Sequence, residues 1–247
     1  LNGDTPLLQE KTVRELLRVH EAERATVTIL TAVLEDASGY GRVVRAHSAE
    51  RAVSRIVEDR DANVEVQAIR EINVGTYVVD GEFLFSALEK LDPSNAQGEY
   101  YLTEIVHLAA EQGHRVAAVV LDNPDEGLGV NTRRQLAEAE QVVRQQIRNR
   151  WLDAGVTMID PASVWIDATV TVGKDTILYP NVTLEGITVI GEDCVLRSYT
   201  RLKDCTVGNG VEILDHCVFA DSHIEDEARL GPFVHLRPGV VVRKKAK

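Results

Sequence analysis

The stretch IDATVTVGKDTILYPNVTLEGITVIGEDCVLRSYTRL, residues 166–202, decides the fold of the C-terminal part of the chain. An aliphatic residue occupies every sixth position, namely Ile166, Val172, Leu178, Leu184, Ile190, Leu196 and Leu202. A period of six fits neither an α-helix, which repeats about every 3.6 residues, nor a flat strand, which alternates about every two. It is typical of a parallel β-helix, in which each short strand buries a residue before the chain turns a corner.

The row continues towards the C-terminus with two steps of five residues. Its later members are Val207, Ile213, Phe219, Ile224, Leu230, Leu236 and Val242. We predict a second inward row four positions after each member, broken only by His223: Val170, Thr176, Val182, Thr188, Cys194, Thr200, Thr206, Val211, Cys217, Ala228, Val234 and Val240. Cys194 and Cys217 are then small buried hydrophobes rather than reactive thiols.

Before residue 155, helical and strand patterns alternate. We predict helices at residues 12–23, 82–91, 100–112 and 131–151, strands at 27–34, 72–79 and 116–121, and a hairpin over 43–57. Such alternation indicates an α/β layer structure, with ligands at the carboxyl ends of the strands. The long helix at 131–151 has few strong apolar positions, so we expect it to connect two bodies.

Composition limits the classes of function. The chain has 247 residues, 44% of them hydrophobic, and a net charge of -12. An acidic protein is a poor general binder of nucleic-acid backbones, although one Arg or Lys in a cleft suffices for a small anion. The three cysteines form neither a CxxC pair nor a metal spacing, and no apolar run reaches the roughly 20 residues of a membrane helix. We therefore predict a cytoplasmic protein whose partners are neither nucleic acids nor membranes.

Four loop motifs carry candidate chemistry in the first part. Asp4 follows an apparent strand end, where metals and ligands gather. Gly41 lies in a Gly-Tyr-Gly turn that permits close approach of a ligand to the backbone. Glu58 ends a strand with an acid able to accept sugar hydroxyls, and Asn131 opens the long helix. Each motif alone has an ordinary alternative: a turn or cap at Asp4, a bare turn at Gly41 and an N-cap at Asn131.

These motifs belong to longer segments with a distinctive order and spacing. The segments are LNGDTPLL, DASGYGRVVR, SRIVEDRDA, REINVGTYV, SNAQGEYYLTEI, EGLGVNTRRQL, AGVTMIDPASVWID and LGPFVHLRPG. Together they resemble the bifunctional GlmU family over essentially the whole chain. The resemblance implies an incomplete Rossmann-like nucleotidyltransferase domain, followed by a left-handed parallel β-helix of hexapeptide repeats that forms a homotrimer.

The resemblance also implies roles for individual residues. Asp4 would ligate Mg²⁺, and Asn131 would contact both the metal and the substrate. The backbone at Gly41 and the side chains of Glu58 and Asn73 would hold N-acetylglucosamine. The implied reaction couples UTP to N-acetylglucosamine-1-phosphate and releases pyrophosphate.

For the β-helix, the resemblance implies acetyl transfer from acetyl-CoA to glucosamine-1-phosphate. Arg237 would face the phosphate of that substrate, a role suited to its fixed fork of donors. The implied domains are residues 1–130 of the uridylyltransferase, a linker helix at 131–154, and residues 155–247 of the acetyltransferase.

Both ends of the chain look like interruptions. It starts at Leu1 and stops at Lys247 while a repeat is in progress. The family's glycine-rich nucleotide loop and its acetyltransferase base have no counterpart here. We therefore assign no catalytic residue within the chain and expect it to be inactive alone.

Two other functions stay open. One is a sugar-1-phosphate nucleotidyltransferase whose β-helix only regulates or oligomerises. The other is a non-catalytic scaffold held together by the β-helix.

Overall fold

The computed structural model describes residues 1–46 and 52–247. Contacts divide the chain into two compact units, Leu1–Ala139 and Glu140–Lys247. Within the described ranges, no helix combines the length and the apolar character that are needed to cross a membrane. The domain boundaries at residues 130 and 154 stay a prediction.

The first unit is built on a mixed five-stranded sheet. Its strands are β1 (Val27–Val33), β2 (Arg42–Arg45), β3 (Val53–Val57), β4 (Glu71–Val79) and β5 (Val116–Val120), in the order β3-β2-β4-β1-β5. Strand β1 runs parallel to β5 and antiparallel to β4. The predicted hairpin is confirmed, since β2 and β3 pair antiparallel, although residues 47–51 between them lie outside the described residues.

Helices cover both faces of this sheet. They are α1 (Glu10–Glu23), α2 (Val64–Gln67), α3 (Gly81–Leu88) and α4 (Glu104–Glu111). Successive side chains of β1 point to opposite faces. Ile29 accordingly packs in a core cluster with Phe83 of α3 and Ile105 of α4, whereas Leu30 packs in another with Leu16 of α1. The short helix α2 was not predicted, because four residues are too few to show a helical period.

Helix α5 (Arg133–Asp153) begins two residues after the predicted start at Asn131. The side chains of Thr132 and Gln135 form reciprocal hydrogen bonds with each other's backbone amides, at 3.2 and 2.9 Å. This capping box fixes the helix start at the residue after Thr132.

The second unit is a parallel β-solenoid of about five turns with three sheets. The first sheet comprises β7 (Trp165–Ile166), β10 (Thr183–Glu185), β13 (Arg201–Lys203), β16 (Val218–Ala220) and β19 (His235–Leu236). The second comprises β8 (Thr171–Val172), β11 (Val189–Ile190), β14 (Thr206–Val207), β17 (His223–Ile224) and β20 (Val241–Val242). The third comprises β6 (Thr157–Met158), β9 (Ile177–Leu178), β12 (Val195–Leu196), β15 (Glu212–Ile213) and β18 (Arg229–Leu230).

The first predicted inward row is confirmed. Its members from Ile166 to Ile224 are at most 6% exposed, and Leu230, Leu236 and Val242 pack partly buried against the same core. This core runs through the solenoid and is the reason why the six-residue period appears in the sequence.

The second inward row was predicted wrongly at both five-residue steps. Cys205, not Thr206, is buried at the first step. At the second step the predicted break at His223 does not occur, because Ser222 is the buried residue there. The second inward residue always lies two positions before the buried residue of the next strand. When a turn is one residue shorter, the second inward residue therefore also lies one position earlier in the sequence. The row is therefore unbroken.

All three cysteines are buried free thiols, as predicted for Cys194 and Cys217. Burial raises the pKa of each thiol, and backbone hydrogen bonds partly oppose that rise. A buried thiol with a raised pKa is a weak nucleophile, so these side chains act as small core residues.

Candidate functional site

Glu58 lies directly after β3, where the chain leaves the sheet. Its side chain is half-buried, and its carboxylate accepts a hydrogen bond of 3.0 Å from the hydroxyl of Thr103. Burial raises the pKa of Glu58, the Thr103 hydrogen bond opposes the rise, and the neighbouring acids Asp61, Asp59 and Glu104 add to it. The Thr103 hydrogen bond thus fixes one acceptor oxygen of the Glu58 carboxylate, and Asp61 and Glu104 add two more acids to the same cleft.

Gly41 lies against this carboxylate. A Cβ atom built on Gly41 would lie 3.0 Å from Cγ2 of Ile56 and 3.3 Å from Oε2 of Glu58. The Gly41 carbonyl accepts a hydrogen bond of 2.8 Å from the backbone amide of Asn73. Glycine at this position leaves room for the Glu58 carboxylate, and any side chain would crowd it.

The Asn73 side chain is held at both ends. Its Nδ2 donates to the hydroxyl of Tyr77 at 2.7 Å, and its Oδ1 accepts from the amide of Gly75 at 3.0 Å. An amide group has two donor hydrogens and two acceptor lone pairs, so one of each is left for a ligand. Burial raises the pKa of Tyr77 strongly, which keeps its hydroxyl protonated.

Gly75 gives β4 the bend that places Asn73. It has φ +81°, and the pairing of β4 with β1 shifts register beside it. A side chain here would also meet Asn2, since a built Cβ lies within 3 Å of its amide nitrogen. Only glycine satisfies both conditions, because positive φ disfavours every residue with a Cβ.

A cleft of about 330 Å³ opens beside Glu58. Glu58, Thr103, Tyr101 and Asn95 are among the residues that line it. A polar cleft of this size is within the range for small-molecule sites and is suited to hydroxyl-rich ligands.

Asp4 and Asn131 form a second group. The amide of Val130 donates a 2.7 Å hydrogen bond to the Asp4 carbonyl, which brings the two segments together. Thr132, rather than Asn131, caps α5, so the ordinary N-cap explanation of Asn131 does not hold. No strand lies before Asp4 among the described residues, and Leu1 is 80% exposed rather than buried.

The donor set of this second group fits Mg²⁺. Both side chains are exposed, and each offers an oxygen, the ligand atom that hard cations prefer. Mg²⁺ in proteins usually has one or two carboxylate ligands and completes its shell with waters and substrate phosphates. Among the described residues, no group of three or more His, Cys, Asp or Glu side chains could hold a metal by itself. Asp4 and Asn131 are therefore suited to a metal shared with a phosphate ligand.

Two contacts link the groups. The amide of Gly129, near Asn131, lies 3.4 Å from the hydroxyl of Tyr40, next to Gly41. Asn2, near Asp4, lies against Gly75, whose amide holds Asn73. The five predicted site residues of the first unit thus lie along one connected edge of it.

Arg237 lies in the other compact unit, directly after β19. Its side chain is exposed, and its carbonyl accepts hydrogen bonds from the hydroxyl of Ser222 and the amide of Val240, at 3.2 and 3.3 Å. Its role towards a ligand stays a prediction.

Thr103 was missed as a site residue. It directly precedes α4, where a threonine is ordinarily a helix cap, but it makes no side-chain capping bond and turns its hydroxyl to Glu58 instead. Tyr77 was missed as the partner of Asn73, although its spacing of four residues within one strand places both side chains on the same face.

A family model described as Nucleotidyl transferase matches residues 1–159. The chain belongs to this family. This match confirms the predicted nucleotidyltransferase domain, and the three parallel sheets of the second unit confirm the predicted parallel β-helix, whereas the handedness of the solenoid stays a prediction.

Curated relatives match the chain through both units. The Bifunctional protein GlmU of Heliobacterium modesticaldum is 46% identical over 100% of this chain and 53% of its own length. That of Streptomyces avermitilis is 45% identical over 99% of the chain and 50% of its own length, and that of Shouchella clausii is 44% identical over 97% and 52%. The predicted resemblance to GlmU is confirmed, and the chain spans about half the length of the curated relatives it matches.

Proposed function

We propose that the chain carries the sugar-phosphate and metal sites of a uridylyltransferase, which joins UTP to N-acetylglucosamine-1-phosphate and releases pyrophosphate. The observation that carries this proposal is the packing of Gly41 against Glu58, whose side chain lines a polar cleft, with the Asn73 amide bonded to the Gly41 carbonyl. Membership of the nucleotidyl transferase family supports it independently.

The roles of these residues follow from their contacts. Glu58, when ionised, accepts hydrogen bonds from hydroxyl groups of the sugar. Asn73 has one donor hydrogen and one acceptor lone pair that its contacts with Tyr77 and Gly75 do not use. Gly41 lets the ligand approach the backbone closely. Phosphoryl transfer of this kind needs little covalent chemistry from the protein, so catalysis depends on positioning.

Asp4 and Asn131 are the residues that would hold Mg²⁺. When bound, the metal supplies positive charge that offsets the charge on the phosphates. Asp4 and Asn131 share one edge with the sugar group, which supports their acting on the same substrate.

The whole protein would have a second activity, acetyl transfer from acetyl-CoA to glucosamine-1-phosphate, with Arg237 facing the phosphate. The name of the relatives, Bifunctional protein GlmU, supports a second activity, and the identity of that activity rests on the family resemblance. We also propose a cytoplasmic homotrimer assembled through the solenoid. Acetyl-CoA turnover by the whole protein would separate this function from a solenoid that only regulates or oligomerises, and sedimentation would test the trimer.

The uridylyltransferase proposal is tested by titrating N-acetylglucosamine-1-phosphate and Mg²⁺ into the isotope-labelled chain. We expect amide shifts that concentrate at Gly41, Glu58 and Asn73. Gly41→Ala should abolish binding, because the new methyl group crowds the Glu58 carboxylate.

Gly81→Ala is the matched control, since a Cβ there meets nothing within 4 Å, and it should bind normally. Saturable binding that spares these three residues, or equal loss in both variants, would contradict the assignment. Pyrophosphate release, measured on the chain beside a form extended to the length of its relatives, then tests the reaction itself.

A further inference from the structure

Arg42 is a buried charge next to the candidate sugar site. It begins β2 and is 3% exposed. Its guanidinium donates to the Tyr40 carbonyl and lies 3.0 Å from the Asp59 carboxylate. Its Nε is buried without a partner among the described residues. One side chain therefore joins two segments of the first unit that are separate in sequence.

Both segments carry a candidate site residue. Tyr40 precedes Gly41, and Asp59 follows Glu58. Gly41 and Glu58 lie so close that a methyl group would crowd them. Their relative position is consequently sensitive to any change in the bridge that Arg42 makes.

Burial of this guanidinium is not explained by stability. Removing a charge from water is unfavourable, and the carboxylate partner of Arg42 is 36% exposed, which weakens the ion pair. An apolar residue would fill the same volume at lower cost. Arginine, however, offers a rigid planar fork that fixes two acceptors at once, which a lysine ammonium does not.

We propose that Arg42 is a positioning residue, which holds the Gly41 backbone and the Glu58 carboxylate at the spacing that a sugar phosphate needs. The proposal rests on the proposed function as far as the ligand is concerned. The bridge between the two segments is a property of the chain itself.

The same strand offers a matched control. Arg45 forms an ion pair with Glu71, with Nε 2.7 Å from Oε2. Arg42→Lys and Arg45→Lys therefore make the same chemical change in one strand. The first removes a fork that touches both site segments, whereas the second removes one that pairs with Glu71.

The experiment measures binding of N-acetylglucosamine-1-phosphate and amide hydrogen exchange in both variants. Arg42→Lys should weaken binding roughly tenfold or more, as expected when a hydrogen bond to a charged group is lost. It should also speed exchange of two amides, that of Asn73, which is bonded to the Gly41 carbonyl, and that of Asp61, which is bonded to the Glu58 carbonyl. Arg45→Lys should change neither quantity.

Equal affinity and equal exchange in the two variants would overturn the proposal, and so would faster exchange spread evenly over the first unit, since that is the sign of general destabilisation. If the unchanged protein binds no sugar phosphate, the proposed function fails, and exchange at Asn73 and Asp61 alone decides whether Arg42 positions the pair. Should Arg42→Lys not fold, Asp59→Asn tests the same contact from its more exposed side, with the same expected results.

Discussion

At the scale of single residues, Glu58 shows how a candidate site residue lowers the stability of the folded state. Its pKa is raised first by burial and further by the charges of Asp61, Asp59 and Glu104. A carboxyl group whose folded pKa is raised contributes stability only while it is protonated. That contribution is complete below the ordinary value near 4.5 and is lost as the pH rises through the raised value. At neutral pH the ionised Glu58 side chain therefore lowers the free energy of unfolding.

Glu58→Gln should accordingly raise the thermal midpoint of the first unit by a few degrees at neutral pH. The gain should shrink as the pH falls and vanish below the ordinary pKa of glutamate. The Thr103 hydroxyl can still donate to the new amide oxygen, so this contact is kept. Melting curves across the acidic range check the prediction, with the exposed Glu89 changed to Gln as control. A gain that does not depend on pH would show that charge is not its cause.

At the scale of elements, a column of glycines sets how closely the turns of the solenoid stack. A Cβ built on Gly173 would overlap the carbonyl carbon and oxygen of Gly191, and one on Gly191 would lie 2.6 Å from those of Gly208. Backbone thus meets backbone at this corner in successive turns, and space rather than conformation requires glycine.

Gly191→Ala should destabilise the solenoid by about 1–3 kcal/mol, the usual cost of overpacking. Gly210→Ala is the control, because a Cβ there meets only Glu227, at 3.7 Å. Its φ of +64° is also tolerated by other residues, since Asp193 and Glu227 have similar φ at the equivalent positions one turn before and one turn after it. That control should cost about 1 kcal/mol for the left-handed backbone. Urea unfolding followed by tryptophan fluorescence compares the two. The explanation fails if Gly210→Ala proves the more costly change.

At the scale of the whole molecule, the two compact units have separate hydrophobic cores. Both tryptophans of the chain, Trp151 and Trp165, lie in the second unit, and Trp151 packs against its core. Helices α1, α2, α3 and α4 lie in the first unit. Tryptophan fluorescence therefore reports on the second unit. The helical far-UV circular dichroism signal comes mainly from the first unit, although the part of α5 from Glu140 to Asp153 contributes from the second.

We expect thermal unfolding followed by these two signals to give different midpoints. Gly191→Ala should lower the fluorescence midpoint and leave the main circular dichroism transition in place. Glu58→Gln should raise the circular dichroism midpoint at neutral pH and leave the fluorescence midpoint in place. A single transition that both variants shift equally would mean that the chain unfolds as one cooperative body.

The patterns that the sequence determined are local ones. The six-residue period predicted the solenoid because each strand buries one residue in the same way, and the hairpin of β2 and β3 was evident from two β-branched runs close in sequence. Asp4, Gly41, Glu58 and Asn131 were chosen from motifs of a few residues and Asn73 from the family resemblance, and the structure brings them to one edge.

Contacts between distant residues were decided only by the tertiary structure. Thr103 donates a hydrogen bond to Glu58 across 45 positions of sequence. Arg42, at the start of β2, forms an ion pair with Asp59, which follows β3. The shift of the inward row to Cys205 and Ser222 likewise depends on where the next strand pairs with the turn below it. A hydrophobic period or a helix cap depends on residues that are close in sequence, whereas the partner of a buried polar group depends on which segments the fold brings together.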